Sequence, residues 1–422
     1  MHLYELPLLF ALVGLVLYTV LAGADFGAGI WQLAAGRGAS ARRIRDHAHD
    51  SMAPVWEANH VWLIFVLTVV WTAYPTAFGS IASTLSVPLF IAAVGIIIRG
   101  AAYALRAGAR TWREASRIDT AFAFSSLLTP FALGAAVGGV ASGRVPVGNA
   151  AGDLLTSWVN PTSLLIGGLA VATSAYLAAV YLAADAVRLG EPELASSFRG
   201  RALIAGVLAG AIAFGGLLVL RADAGGLYHR LVAGAGLAAL VVSSVAGVAA
   251  VGLVWKSRFE LARYAAALAV AAIIAGWALA QQPTILPGLT VQRAAAPHDT
   301  LVLVVIAVLG GGLILFPSLA LLFGLVLRGR LDRGGPAAPA PVSTRALSVA
   351  SRSGLVARAA GACLIAGFGL LTIADAAWTH AIGVVSLLGF IALAFTAARP
   401  DEIAKCEATT GGWARGRDRD PS

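Results

Sequence analysis

The chain has 422 residues, of which 59% are hydrophobic and only 12% charged, and its mean hydropathy is +0.83. Soluble domains carry roughly 25% charged residues, so this composition excludes a water-soluble globular protein. The net charge of +9 could suit nucleic acid, but the cations sit in particular connections between apolar blocks, which points to membrane orientation and away from a nucleic-acid partner.

Apolar blocks close to the length needed to cross a bilayer core predict an all-α, polytopic membrane protein with about eleven transmembrane helices. In chain order they fall at 7–31, 55–74, 79–105, 119–141, 162–186, 202–221, 230–254, 262–282, 301–327, 355–376 and 380–398. A β-barrel would require short alternating segments, and that pattern is absent. The first block is full-length, lacks a basic leader and carries Asp25, so it is expected to be a span and not a cleaved signal. Tyr74-Pro75 ends the second span, because proline disfavours helix at the residue before it. Asn160-Pro161 opens the fifth. Residues 1–328 form one expected membrane domain, 329–353 a Pro- and Gly-containing cytoplasmic linker, 354–398 two further spans, and 399–422 a polar tail.

Arginine and lysine set the orientation. The connection after the first span holds Arg37, Arg42, Arg43 and Arg45, and the one after the third holds Arg106, Arg110, Arg113 and Arg117. Connections on the other side hold only Arg144, Arg221, Arg230 and Arg293. The N-terminus is therefore expected outside and the C-terminus in the cytoplasm. The two cysteines, Cys363 and Cys406, make neither a disulfide framework nor a metal motif.

Ionisable residues inside such spans are costly, at about 2.5 kcal/mol or more near a helix centre, and by default mark function. Asp25 lies roughly 9 Å inside the cytoplasmic end of the first span at 1.5 Å per residue. Glu57 enters from the same side on the second, and His60 follows it at a spacing that shares a face. Arg99 lies in the cytoplasmic half of the third. Asp25, Glu57, His60 and Arg99 are thus candidates to meet where three consecutive helices pack, as a cytoplasmic-side proton path. An Asp–Arg pair that only fixes helix register is the plainer reading of the same residues. Asp119 and Asp185 are weaker candidates: Asp119 reads equally as an N-cap and Asp185 as a snorkelling end residue. Gly23 and Gly27 have the spacing of close helix packing, and Trp56, Asn59 and Trp62 read as packing or interfacial residues. His60 is the one histidine well inside a span, so a bis-ligated haem within this chain is not expected.

These stretches resemble subunit II of cytochrome bd-type quinol oxidases. The matching elements are Gly23-Ala24-Asp25-Phe26-Gly27-Ala28-Gly29, the run Pro54, Trp56, Glu57, Asn59, Val61, Trp62, Leu63 and Ile64, then Arg99, Pro130 and Leu286-Pro287-Gly288-Leu289-Thr290. The resemblance covers about residues 1–330 and implies a nine-helix family core, with the last two spans as additions. It further implies a subunit that binds no haem of its own, in a prokaryotic cytoplasmic (inner) membrane. Haem b, with or without haem d, would lie in a partner subunit I, quinol would be the substrate of the complex, and small accessory subunits are a further partner class. The complex would oxidise quinol and reduce dioxygen to water, with Asp25 and Glu57 at acidic proton-path positions. His60 departs from the Glu or Gln often found there. The residues alone leave two other readings open, a proton-coupled transporter and a purely structural assembly subunit.

Overall fold

The computed structural model describes residues 2–36, 38–106 and 112–327, together with helical residues between 358 and 397. A 3-10 turn, Leu3–Glu5, leads into α1 (Leu6–Leu33), followed by α2 (Ala39–Ala73), α3 (Pro75–Thr84), α4 (Ser86–Arg106) and α5 (Trp112–Ala141). Then come α6 (Pro161–Arg188), α7 (Pro192–Asp223), α8 (Gly225–Leu231), α9 (Gly234–Trp255) and α10 (Phe259–Gln281). A small antiparallel hairpin, β1 (Thr284–Leu286) and β2 (Leu289–Thr290), precedes α11 (Val291–Ala294) and α12 (His298–Leu327). Among the described residues, 8 helices are long and apolar enough to cross a bilayer.

Residues 1–321 form one compact unit, and residues 322–422 a second. In the second, Ala377–Ala397 is helical, as expected for the last span. The expected linker at 329–353, most of the span at 355–376 and the tail at 399–422 lie outside the described residues.

Three boundaries differ from those read off the sequence. The basic connection after α1 is short, because α2 begins at Ala39. Its first half is amphipathic: Ala41, Ile44 and Ala48 are buried, while Arg42, Arg43 and Asp46 face out. At 1.5 Å per residue α2 is about 50 Å long, so its charged half projects beyond a core of about 30 Å. Its apolar part is only Asn59–Ala73. The expected third span is broken at Leu85 into α3 and α4, and the expected seventh begins as the separate short helix α8.

Helix α6 is the hub. Pro161 occupies its first turn and the Asn160 side chain accepts from the Ser163 N–H at 2.9 Å, a local N-cap that fixes where it starts. Its alanine face, Ala175, Ala178, Ala179 and Ala183, is buried against neighbouring helices. Between helices in lipid, close packing takes over from apolar transfer as the main attraction, and small residues permit it. Gly27 of α1 shows how close: a Cβ there would collide with the Ser174 carbonyl and lie 2.6 Å from the Ala178 methyl. The Gly23–Gly27 spacing is thus the α1–α6 crossing.

Polar ties close the end of the bundle away from the basic α1–α2 connection. The Tyr74 hydroxyl donates to the Tyr4 carbonyl at 2.6 Å and accepts from the Leu8 N–H at 3.0 Å. Arg144 grips Asp223 through two hydrogen bonds of 3.0 and 2.7 Å, and Asp223 also accepts from the Thr162 N–H and hydroxyl. These hold the 142–160 connection to the ends of α6 and α7.

Candidate functional site

The packing of α1, α2, α4 and α5 brings together the residues that a bilayer should reject. Asp25 is 0% exposed and Arg99 1%, and Arg99 Nη2 lies 2.5 Å from Asp25 Oδ1. A buried ion pair holds only if its remaining donors and acceptors are also met. Here most are. Arg99 Nη2 also donates to the Asp25 carbonyl at 3.3 Å, and Nη1 donates to the Ser126 hydroxyl. The guanidinium lies over Phe26 and Phe122, with 4.8 and 4.2 Å to the ring centroids, positions in which the ring quadrupole attracts the cation. Arg99 Nε alone is left without a partner.

The Asp25 carboxylate has two further donors. Asn59 Nδ2 donates to Oδ2 at 3.2 Å, and the Tyr103 hydroxyl donates to Oδ1 at 3.4 Å. Tyr103 stands one helical turn after Arg99 on α4, so both reach the same carboxylate. Its ring packs edge-on against Phe122 at 5.1 Å and lies 5.2 Å from the ring of His49. His49 belongs to the projecting half of α2 and is partly exposed. A ring contact from the partly exposed His49 thus leads to Tyr103, whose hydroxyl reaches the fully buried acid.

Of the residues singled out from the sequence, Asp25 and Arg99 meet as expected. Asn59, expected only to pack, is a ligand of the carboxylate. Trp62 packs, as expected, beside the small cluster of Tyr18, Ala22 and Phe26. His60 is half-buried on the turn of α2 that carries Asn59. Glu57 and Trp56 lie on the same helix, but their side chains are outside the described residues. Asp119 is not an N-cap, because α5 starts earlier, at Trp112, and the residue lies inside the helix. Asp185 does not snorkel. It is 6% exposed, accepts from the Ser51 hydroxyl at 2.5 Å and pairs with Arg188, which ties α6 to the projecting half of α2. Tyr103, Phe122 and Ser126 were not singled out from the sequence. Their common trace is position: Tyr103 follows Arg99, and Ser126 follows Phe122, at the spacing of one turn.

Phe26, on which Arg99 stacks, also lines a cavity of about 290 Å³ between α1, α5, α6, α7, α9 and α10. Its walls are almost wholly apolar, and Leu133, Leu220 and Ile273 are typical. Two polar groups on residues that line it, the Tyr18 hydroxyl and Trp277 Nε1, are buried with no hydrogen-bond partner. Among the described residues, no His, Met or Cys lines it. Among the described residues no group of three His, Cys, Asp or Glu could hold a metal ion.

Residues 3–326 match the model of the family described as cytochrome bd terminal oxidase subunit II. Cytochrome bd ubiquinol oxidase subunit 2 of Bacillus subtilis is 28% identical over 132 residues, covering 31% of this chain and 38% of that protein. Cytochrome bd-I ubiquinol oxidase subunit 2 of Escherichia coli is 28% identical over 134 residues, covering 31% and 35%. The aligned stretches thus span little more than a third of these relatives. The solved structure of bd oxidase from Geobacillus thermodenitrificans contains a chain that superposes with a TM-score of 0.59 at 26% identity, over 78% of this chain and 99% of that one.

Proposed function

Because the chain belongs to the cytochrome bd terminal oxidase subunit II family, we propose that it is the haem-free second subunit of a quinol oxidase in a prokaryotic cytoplasmic membrane. Its partner is a subunit I that carries b-type haem, with or without haem d. Those haems, when bound in the partner, supply electron transfer from quinol and the reduction of dioxygen to water. Haem iron takes His, Met or Cys ligands in most proteins. Among the described residues, the cavity lined by Phe26 offers none of them, which supports placing the haems elsewhere.

The contribution of this chain is positional and protonic. The N-terminus is outside and the C-terminus cytoplasmic, so the projecting half of α2 and the Asp25–Arg99 cluster lie toward the cytoplasm. Protons enter along α2, the helix that carries Glu57 and His60 and reaches the buried cluster through Asn59. Arg99 holds Asp25 in place, and Tyr103 donates its hydroxyl to that carboxylate while its ring packs on the partly exposed His49. The observation that carries this reading is a fully buried acid–base pair whose carboxylate accepts from Tyr103, a residue packed on the partly exposed His49 of the projecting half of α2. A second reading, in which Asp25 is purely an anchor, is favoured by its complete burial and close pairing.

The test is quinol-driven oxygen uptake by this chain co-produced with subunit I. If protons pass here, Glu57→Gln lowers uptake at least about tenfold, as loss of a proton-transfer group does, while the complex still assembles with its haem spectrum. Unchanged uptake in an assembled Glu57→Gln complex would reject the proton route. For Asp25→Asn, a matching loss of uptake in an assembled complex supports proton transfer by Asp25. Loss of assembly supports the anchor.

A further inference from the structure

The cavity lined by Phe26 has a mouth with its own chemistry. Trp277 lies about 6 Å below the end of α10, four residues before Gln281 at 1.5 Å per residue. That is the depth at which lipid ester carbonyls meet the apolar core. Its Nε1–H is buried and has no acceptor. Beside it, Leu227 and Leu231 of α8 and Leu220 of α7 line the cavity. The residues next to them in sequence are cations: Arg221 follows Leu220, and Arg230 precedes Leu231. Both are exposed. Arg230 Nε donates to the Ala280 carbonyl at 2.5 Å, which fixes its guanidinium against the end of α10. Neither arginine forms an ion pair among the described residues, whereas Arg144, at the same end of the bundle, is spent on Asp223.

Cations are scarce at this end. Arg144, Arg221, Arg230 and Arg293 are the only ones in its connections, and two of them adjoin in sequence the lining residues Leu220 and Leu231, with Arg230 held at the end of α10. A mouth with uncompensated positive charge, an orphan N–H donor at ester depth and an apolar shaft below matches one class of membrane molecule. We propose that the cavity holds one acyl chain of an anionic phospholipid from the leaflet at the Arg144 end. The phosphate lies between Arg221 and Arg230, an ester carbonyl accepts from Trp277 Nε1, and the tail runs down between α6, α7 and α10 toward Phe26. The tail has no polar atom at the depth of Tyr18, so the Tyr18 hydroxyl takes no part in holding it.

The experiment is native mass spectrometry of the purified complex exchanged into phosphatidylglycerol or phosphatidylcholine micelles, with extraction of whatever remains bound. One phosphatidylglycerol is expected to stay on the complex, and phosphatidylcholine to be lost. Surface cations each add to the attraction for anionic lipid, so Arg221→Gln with Arg230→Gln should lower retention about tenfold. Trp277→Phe should lower it too, and Tyr18→Phe should not. Equal retention of the two lipids, or no effect of the double arginine variant, overturns the proposal. So does recovery of an isoprenoid quinone whose binding depends on Tyr18, because a polar ring would then sit deep in the cavity. Protein folding is checked by the haem spectrum of the same complexes, which none of these substitutions should alter.

Discussion

Replacing Arg99 by methionine removes a guanidinium from a site where Asp25 is 0% exposed and leaves that carboxylate with only Asn59 at 3.2 Å and Tyr103 at 3.4 Å. Breaking a buried pair by deleting one partner costs about 3–5 kcal/mol, because the remaining charge is uncompensated. Asp25→Asn should cost less than Arg99→Met. The Arg99 cation would still have the Asp25 carbonyl, the Ser126 hydroxyl and two aromatic rings. The double variant Asp25→Asn with Arg99→Met carries no charge at all, so it should recover about 2 kcal/mol or more relative to the sum of the singles. Unfolding of the purified complex, followed by tryptophan fluorescence across a denaturant series, measures all four proteins. The predicted order of stability is wild type, then the double variant, then Arg99→Met. If Arg99→Met matched wild type, or the double variant equalled the sum of its singles, the pair would not be coupled and the account of the site would be wrong.

Gly27→Ala should destabilise the α1–α6 crossing by about 1–3 kcal/mol or more, since its methyl meets the Ser174 backbone. Gly168→Ala, where a Cβ meets nothing within 4 Å, is the matched control and should be silent in the same unfolding assay. Arg144→Gln removes both hydrogen bonds to Asp223, but the arginine is 34% exposed, so the loss should be only about 1 kcal/mol. Its clearer readout is faster proteolytic cleavage within 142–160, and unchanged cleavage would show that the pair does not hold that connection. Asp185→Asn keeps an acceptor for Ser51 and loses only a partner that is 65% exposed. Assembly and oxygen uptake should therefore stay near wild type, and a large loss of uptake would make Asp185 part of the proton route.

Most of the helical architecture was legible from hydropathy, because a bilayer forces long apolar runs and leaves few alternatives. The Asp25–Arg99 pairing was legible for the same reason: two charges at similar depth on nearby helices have few other partners. The extension of α2 was hidden because its first half is charged and reads as a loop. Only the buried spacing of Ala41, Ile44 and Ala48 marks it as helix. The break at Leu85 is marked by Ser83, Thr84 and Ser86 around it and by Pro88 in the first turn of α4, a short polar interruption that hydropathy averaged over a whole span hides. Ser126 and Tyr103 are common residue types, and their role depends on which turn of α5 and α4 faces α1. That is a packing outcome that spacing alone does not fix. Asp119 was misread because the start of α5 moved back to Trp112.

The most direct test of the central claim is a reduced-minus-oxidised difference spectrum, recorded on this chain purified alone and purified with subunit I. The account predicts haem bands and quinol-dependent oxygen uptake only when the partner is present. Haem bands from the chain alone, or a stable preparation that never associates with a haem-bearing partner, would contradict it.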